Sequence, residues 1–206
     1  GDLEIRGRYV VSDSRENSEP VYYGEDCTLF PRMWSNRDDF YIRHYKQWAD
    51  ITGPDYIVNA RGERVPNIPT FGQNLKFFFS YQMWYMYGRY FMWNFVGRQT
   101  LAQGYATKTS GEWVSGIKFI DEARLGPQDM PDHMKNKGNN KYYFLPLILG
   151  LIGLFYQLKH DKKNWSVVFM LFFMTGIAIG IYLNMYAYQP RERDYAFAAS
   201  FYAFSI

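Results

Sequence analysis

The chain is polar and rich in turn formers up to about residue 140, and mostly apolar beyond it. Within the polar part, "NRDDFYIRHYKQWAD" (36–50) sets Phe40, Tyr41, His44, Tyr45 and Trp48 at helical spacing. That spacing predicts a short amphipathic helix capped by Ser35 or Asn36. "TGPDYIVNARGERVPNIPTFG" is turn-rich and predicts an extended loop or hairpin. "LKFFFSYQMWYMYGRYFMWNFVGRQ" (75–99) is aromatic and long enough to span, yet Gln82, Arg89 and Asn94 interrupt it. A central Arg costs about 2.5–3.5 kcal/mol on insertion scales, and Tyr and Trp favour the headgroup zone. One or two helices lying in the interface, or packed on a membrane domain, fit this stretch better than a lone span. Residues 100–141 read as loop.

The apolar part divides into three expected spans, 142–158, 165–188 and 195–206, the last cut short. "LKHDKKN" makes a hydrophilic turn between the first two, which form an antiparallel hairpin. Gly176 and Gly180 make a small-xxx-small pair that admits a close neighbour. Asn184 is expected to hydrogen-bond to another helix. The expected fold is mainly α: a polytopic transmembrane helical piece (142–206) carrying an irregular extracytoplasmic region (1–141). The chain reads as an internal piece of a longer membrane protein, opening without Met at "GDLEIRGRYV".

Composition adds little beyond this. Aromatic residues make up 20% of the chain, as suits an interfacial or membrane protein. A net charge of +3, scattered without a stripe or known motif, argues against nucleic acid as a partner. Cys27 is the one cysteine, so no internal disulfide forms. His44, His133 and His160 lack metal-ligand spacing, and no metal or cofactor is evident. Asp121 and Glu122 are adjacent, so they point apart, and a solvated loop is the expected setting. Nucleotide fingerprints and nucleophile elbows are missing from the sequence, which disfavours a soluble nucleotide-sugar transferase. Charge leaves the orientation open. Lys159, Lys162 and Lys163 argue for a cytoplasmic turn, while Lys135, Lys137, Lys141, Arg191 and Arg193 argue for the reverse.

"YQPRERDYAF" (188–197) carries the candidate chemistry. Four successive charges beside a membrane persist where water, an ion partner or a ligand satisfies them. Arg191 and Arg193 offer planar forks of donors suited to phosphate oxygens. Free N–H groups at the start of the next helix would add to such an anion site, with Asp194 as its N-cap and Tyr195 at the rim. The alternative is a solvated loop whose charges pair among themselves. Arg89, Asn94 and Arg98 are secondary candidates for phosphate or for polar groups of a ligand, with Trp84 and Trp93 as faces on which a ring could stack. Against that, the arginines snorkel and the aromatics form a belt.

"YLNMYAYQPRERDYAFAASFYAFSI" resembles the signature of a membrane family best represented in Bacteroidetes, domain of unknown function 2723, also filed as glycosyltransferase family 117. "NLKFFFSYQMWYMYGRYFMWNFVGRQ", "EWVSGIKFID", "NKYYFLPLILGLIGL" and "LFPRMWS" are similar to the family's pattern too. Thr100-Leu101 departs from it, standing where the family more often has Asn-Asp. The resemblance implies a bacterial inner-membrane glycosyltransferase similar to protein O-mannosyltransferases. It would move a sugar from a polyprenyl-phosphate donor to a protein or other acceptor hydroxyl. Residues 1–141 would then be periplasmic, as would the Arg191/Arg193 side, with membrane lipid, the lipid-linked sugar and an acceptor protein as partners. The acidic catalytic base would lie outside these residues, leaving the piece alone inactive. The rival reading is a non-enzymatic membrane scaffold or transporter-like protein in which the charged loop gates or pairs.

Overall fold

In a computed structural model of the chain, the described residues are 3–5, 8–10, 38–59, 62–67, 69–102, 106–128, 137–187 and 194–206. They fall into two units, 1–31 and 32–206. In the first, β1 (Leu3–Ile5) pairs antiparallel with β2 (Arg8–Val10), Glu4 opposite Tyr9.

The second unit is mainly helical. Helix α1 (Asp39–Ala49) is capped by Asp38, whose carboxylate accepts from the Phe40 amide at 2.8 Å. Ser35 and Asn36, the expected caps, lie outside the described residues. Ile42, Tyr45 and Ala49 form the buried stripe of α1, while Phe40 stays exposed. Strands β3 (Tyr56–Val58) and β4 (Arg64–Pro66) form the expected hairpin, Ile57 opposite Val65.

Helix α2 (Phe71–Phe77) then runs into a π-helical stretch (Phe78–Gly88) and on into α3 (Arg89–Phe95). It starts ahead of the expected Leu75. Thr70 and Gln73 form a capping box, the Gln73 carboxamide oxygen accepting from the Thr70 amide at 2.8 Å. In the π-helical stretch Phe78, Tyr81, Gln82, Met86 and Tyr87 are buried. Steps of about four to five residues keep one face inward, as the wider π turn requires.

Short strands tie the end of this helix to later segments of the chain. β5 (Gly97–Arg98) pairs with β6 (Asn140–Lys141), and Arg98 bridges to Trp113. Gly97 sits at φ +140°, where a Cβ would collide with the Val114 carbonyl oxygen, so only glycine lets these backbones approach. The expected loop over 100–141 therefore contains ordered structure, including α4 (Lys118–Leu125). Its cause is the Asp121 carboxylate, which gathers backbone donors from the preceding turn.

Tyr143 and Phe144 both take left-handed backbone conformations and turn the chain into α5 (Leu145–His160). Asp161 ends α5 and caps α6 (Lys162–Phe173), accepting from the Asn164 amide at 3.1 Å. The turn of the expected hairpin is thus one residue. Helix α6 continues through a π-helical stretch (Met174–Ala178) into α7 (Ile179–Leu183). A 3-10 turn (Asp194–Phe197) leads into α8 (Ala198–Ser205). Asp194 opens that turn, whereas the N-cap position of α8 is Phe197.

Three spans were expected. Among the described residues one helix, Lys162–Leu183, is long and apolar enough to cross a membrane. Leu145–His160 is apolar but shorter, at about 24 Å by helical rise, and α8 has eight residues. A polytopic domain is therefore more than the fold displays.

Two clusters hold the unit. Tyr45, Phe77, Tyr81, Met86, Tyr87, Met185, Phe197 and Phe201 make the larger one, joining α1, the long aromatic helix, the end of α7 and α8. Trp93, Val96 and Trp113 make the smaller, with Ile120, Phe144 and Leu147 packed against it.

Candidate lipid-facing site

Many apolar side chains of α5 and α6 point outward. Neither helix contributes a buried residue, and only 11% of the most apolar window of Lys162–Leu183 is buried. Leu149, Ile152, Phe155, Val167, Met170 and Met174 are all exposed. A core helix of a soluble domain would hide this surface. Here it forms a continuous apolar face, of the kind that marks a membrane or protein contact.

The inner edges of the same helices enclose a cleft of about 800 Å³ between α3, α5, α6 and α8. Phe91, Phe95, Leu154, Phe169, Phe172 and Phe204 line it, with Gln157 and Ser205 among its few polar side chains. Its lining is mostly apolar and aromatic.

Polar bonds join the helices of the larger cluster. Gln82 donates to the Met185 carbonyl at 2.7 Å and to Asn184 Oδ1 at 3.2 Å. Tyr87 and Ser200 share a hydrogen bond of 2.8 Å, and Ser200 Oγ donates to the Phe172 carbonyl at 2.9 Å. Gly176 makes room for this pair, since a Cβ there would stand 2.5 Å from Ser200 Oγ and 2.7 Å from Tyr87 Oη. The close approach expected of Gly176 and Gly180 is therefore present. So is the Asn184 bond to another helix, although Asn184 sits at the helix end in left-handed conformation rather than inside a span.

Arg191 and Arg193 lie outside the described residues, as does the side chain of Asp194, and Tyr195 is exposed. Arg89 is not on a surface: it is 2% exposed, donating from Nε to the Tyr85 carbonyl at 3.0 Å and from Nη1 to the Gly111 carbonyl at 2.5 Å. Its guanidinium also lies 4.3 Å from the Tyr85 ring centre. Asn94 turns back onto the Tyr90 carbonyl at 2.8 Å. Arg98 stacks over Trp93 at 4.9 Å. Trp93 is buried beneath it, while Trp84 is exposed.

Asp121 is a further correction. It is buried, not solvated, and its carboxylate accepts from Ser115 N, Ser115 Oγ and Gly116 N at 2.8–2.9 Å. Arg124 pairs with Glu112 at 2.6 Å and lies 3.8 Å over Trp113. This knot was missed in the sequence, where Ser115 and Gly116 stand six and five residues before Asp121. No group of three His, Cys, Asp or Glu side chains converges on a metal-binding geometry among the described residues.

A family model described as a family of unknown function (DUF8416) matches residues 4–79, well under half of the chain. That match replaces the resemblance to domain of unknown function 2723 and glycosyltransferase family 117, neither of which is found. No curated protein and no solved structure matches the chain.

Proposed function

We propose that the chain is part of an integral-membrane protein that handles a lipid-linked phosphate substrate. The observation that carries this is the outward apolar face of Lys162–Leu183, 11% buried in its most apolar window. In this reading α5 and α6 face lipid, and the apolar cleft takes the hydrocarbon tail of the substrate. Arg191 and Arg193, which come after the end of α7 and before the α8 turn in chain order, grip the phosphate. The reaction class we assign is transfer of a sugar from a polyprenyl phosphate to an acceptor hydroxyl of a protein or other molecule. Its support is the Arg-x-Arg sequence at 191–193, whose planar donor forks suit phosphate oxygens, together with the apolar cleft.

A non-enzymatic scaffold is the second reading. It is favoured by the structural employment of Arg89, Asn94, Arg98 and Asp121, each engaged by backbone or ring partners. The two separate in the intact protein within membranes. Arg191→Ala with Arg193→Ala should abolish sugar transfer from the lipid phosphate and leave insertion intact. Transfer at the unaltered rate would end the enzymatic reading.

A further inference from the structure

Among the described residues of the second unit, Phe119 is the most exposed large apolar side chain apart from Tyr182, at 81%. It is not on a floppy loop. The Asp121 carboxylate clamps Ser115 and Gly116 by three hydrogen bonds, and Ser115 Oγ accepts from the Ile117 amide at 3.0 Å. Gly116, at φ +88°, turns the chain so that Ile117 and Phe119 project from the first turn of α4, with Ile117 also exposed. Ile117 and Phe119 thus form an exposed apolar tip on an ordered turn.

The position of the mount names the partner. Tyr143 donates from its amide to the Ser115 carbonyl at 3.0 Å, two residues before α5 begins. Ile120, next to Phe119, packs in one cluster with Phe144 and Leu147 at the start of α5. The projecting turn is therefore fixed at the end of α5 where the lipid-facing surface begins. Tyr143 and Leu145 are exposed there too, and the exposed Lys118 and Lys141 flank the tip, Lys118 also 3.6 Å from Glu122. Apolar tip, aromatic collar and flanking lysines are the make-up of a segment seated at the headgroup level.

We infer that the Ile117–Phe119 turn is an interfacial wedge, inserted into the headgroup layer of the same bilayer that α5 and α6 face, with Lys118 and Lys141 at the level of anionic lipid headgroups. This rests on the membrane reading above. It adds that α4 and the turn before it are docked on the lipid surface and, through the β5–β6 pairing, hold the end of the long aromatic helix at a fixed height.

The test uses the full chain with Cys27→Ser, reconstituted in vesicles of phosphatidylcholine and phosphatidylglycerol. Single nitroxides are placed at Phe119→Cys, at Phe155→Cys as the lipid reference and at Val58→Cys, exposed on β3, as the water reference. Relative collision rates with oxygen and with a water-soluble nickel chelate report depth. The wedge predicts a Phe119 depth between the two references, deepening when the phosphatidylglycerol share rises. A Phe119 site as wet as Val58 while Phe155 is deep overturns the wedge and leaves the membrane reading standing. A Phe119 site closed to both reagents means that protein covers it, and also overturns the wedge. A wet Phe155 defeats the membrane reading and the wedge together.

Discussion

Gln82 and Asn184, 102 residues apart in sequence, meet at 3.2 Å, the Gln82 amide nitrogen donating to the Asn184 oxygen. The same nitrogen donates to the Met185 carbonyl at 2.7 Å, so one side chain fastens the aromatic helix to the point where α7 ends. A polar residue that looks like an interruption of an apolar run is here the link between two helices.

Replacing Gln82 by Leu removes both bonds and leaves the Met185 carbonyl without this donor. A loss of about 1–3 kcal/mol is expected, the usual penalty for stranding a buried polar group. Thermal unfolding in detergent micelles, compared with the unaltered chain, measures it. An unchanged midpoint would mean that Gln82 holds nothing together.

Gly176 and Gly153 separate packing from propensity. A methyl at 176 collides with Ser200 Oγ and the Tyr87 hydroxyl, whereas one at 153 meets nothing within 4 Å. Gly176→Ala should cost about 1–3 kcal/mol through overpacking. Gly153→Ala should be neutral or stabilise by about 0.5–1 kcal/mol through helix propensity. The two variants, run side by side in denaturant unfolding, should move in opposite directions or differ by that margin.

Asp121→Ala strands three donors in the turn ahead of α4. Since bonds to a charged acceptor are worth about 1.5–3 kcal/mol each, the loss should exceed that of Gln82→Leu. Hydrogen exchange should show early opening at the Ser115 and Gly116 amides. Equal protection in the variant would mean that the carboxylate does not hold the turn.

Asp50 and Lys76 pair at 2.8 Å on the surface, and the Lys76 hydrogen bond, then its charge, holds the Asp50 carboxyl below its ordinary range. A depressed carboxylate pKa contributes stability that is present above the unfolded value of about 4 and fades as pH falls through the lower folded value. The unaltered chain and Lys76→Met should therefore differ slightly at neutral pH and converge in acid. Both partners are well exposed, so the gap is small and shrinks in salt.

Much of the fold was legible because it obeys local rules. The existence of α1, the β3–β4 hairpin, the α5–α6 turn and the close approach at Gly176 come from spacing and turn chemistry, whereas the buried stripe of α1 is Ile42, Tyr45 and Ala49 and shares only Tyr45 with the aromatic positions that predicted the helix. The capping box of Thr70 and Gln73 was available in the sequence and would have moved the helix start from Leu75 to Phe71. The π-helical stretches were not legible, because a wider turn is set by what packs on both sides. Arg89 misled for a related reason. Its donors serve carbonyls of Tyr85 and Gly111, one of them 22 residues away, and no local pattern announces that. Asp121 misled because adjacency to Glu122 says nothing of burial. The charged Arg191–Asp194 stretch keeps its sequence-based reading alone, its side chains lying outside the described residues.

The central claim is that Lys162–Leu183 faces lipid. Carbene photolabelling from within the bilayer, applied to the intact protein in membranes and mapped residue by residue, tests it most directly. Label is expected on the outward positions Val167, Met170, Leu171 and Met174, with protection at Gly176 and Gly180, which lie against Ser200, Tyr87 and Met83. Label absent from the whole helix, while other membrane proteins in the sample are marked, would contradict it.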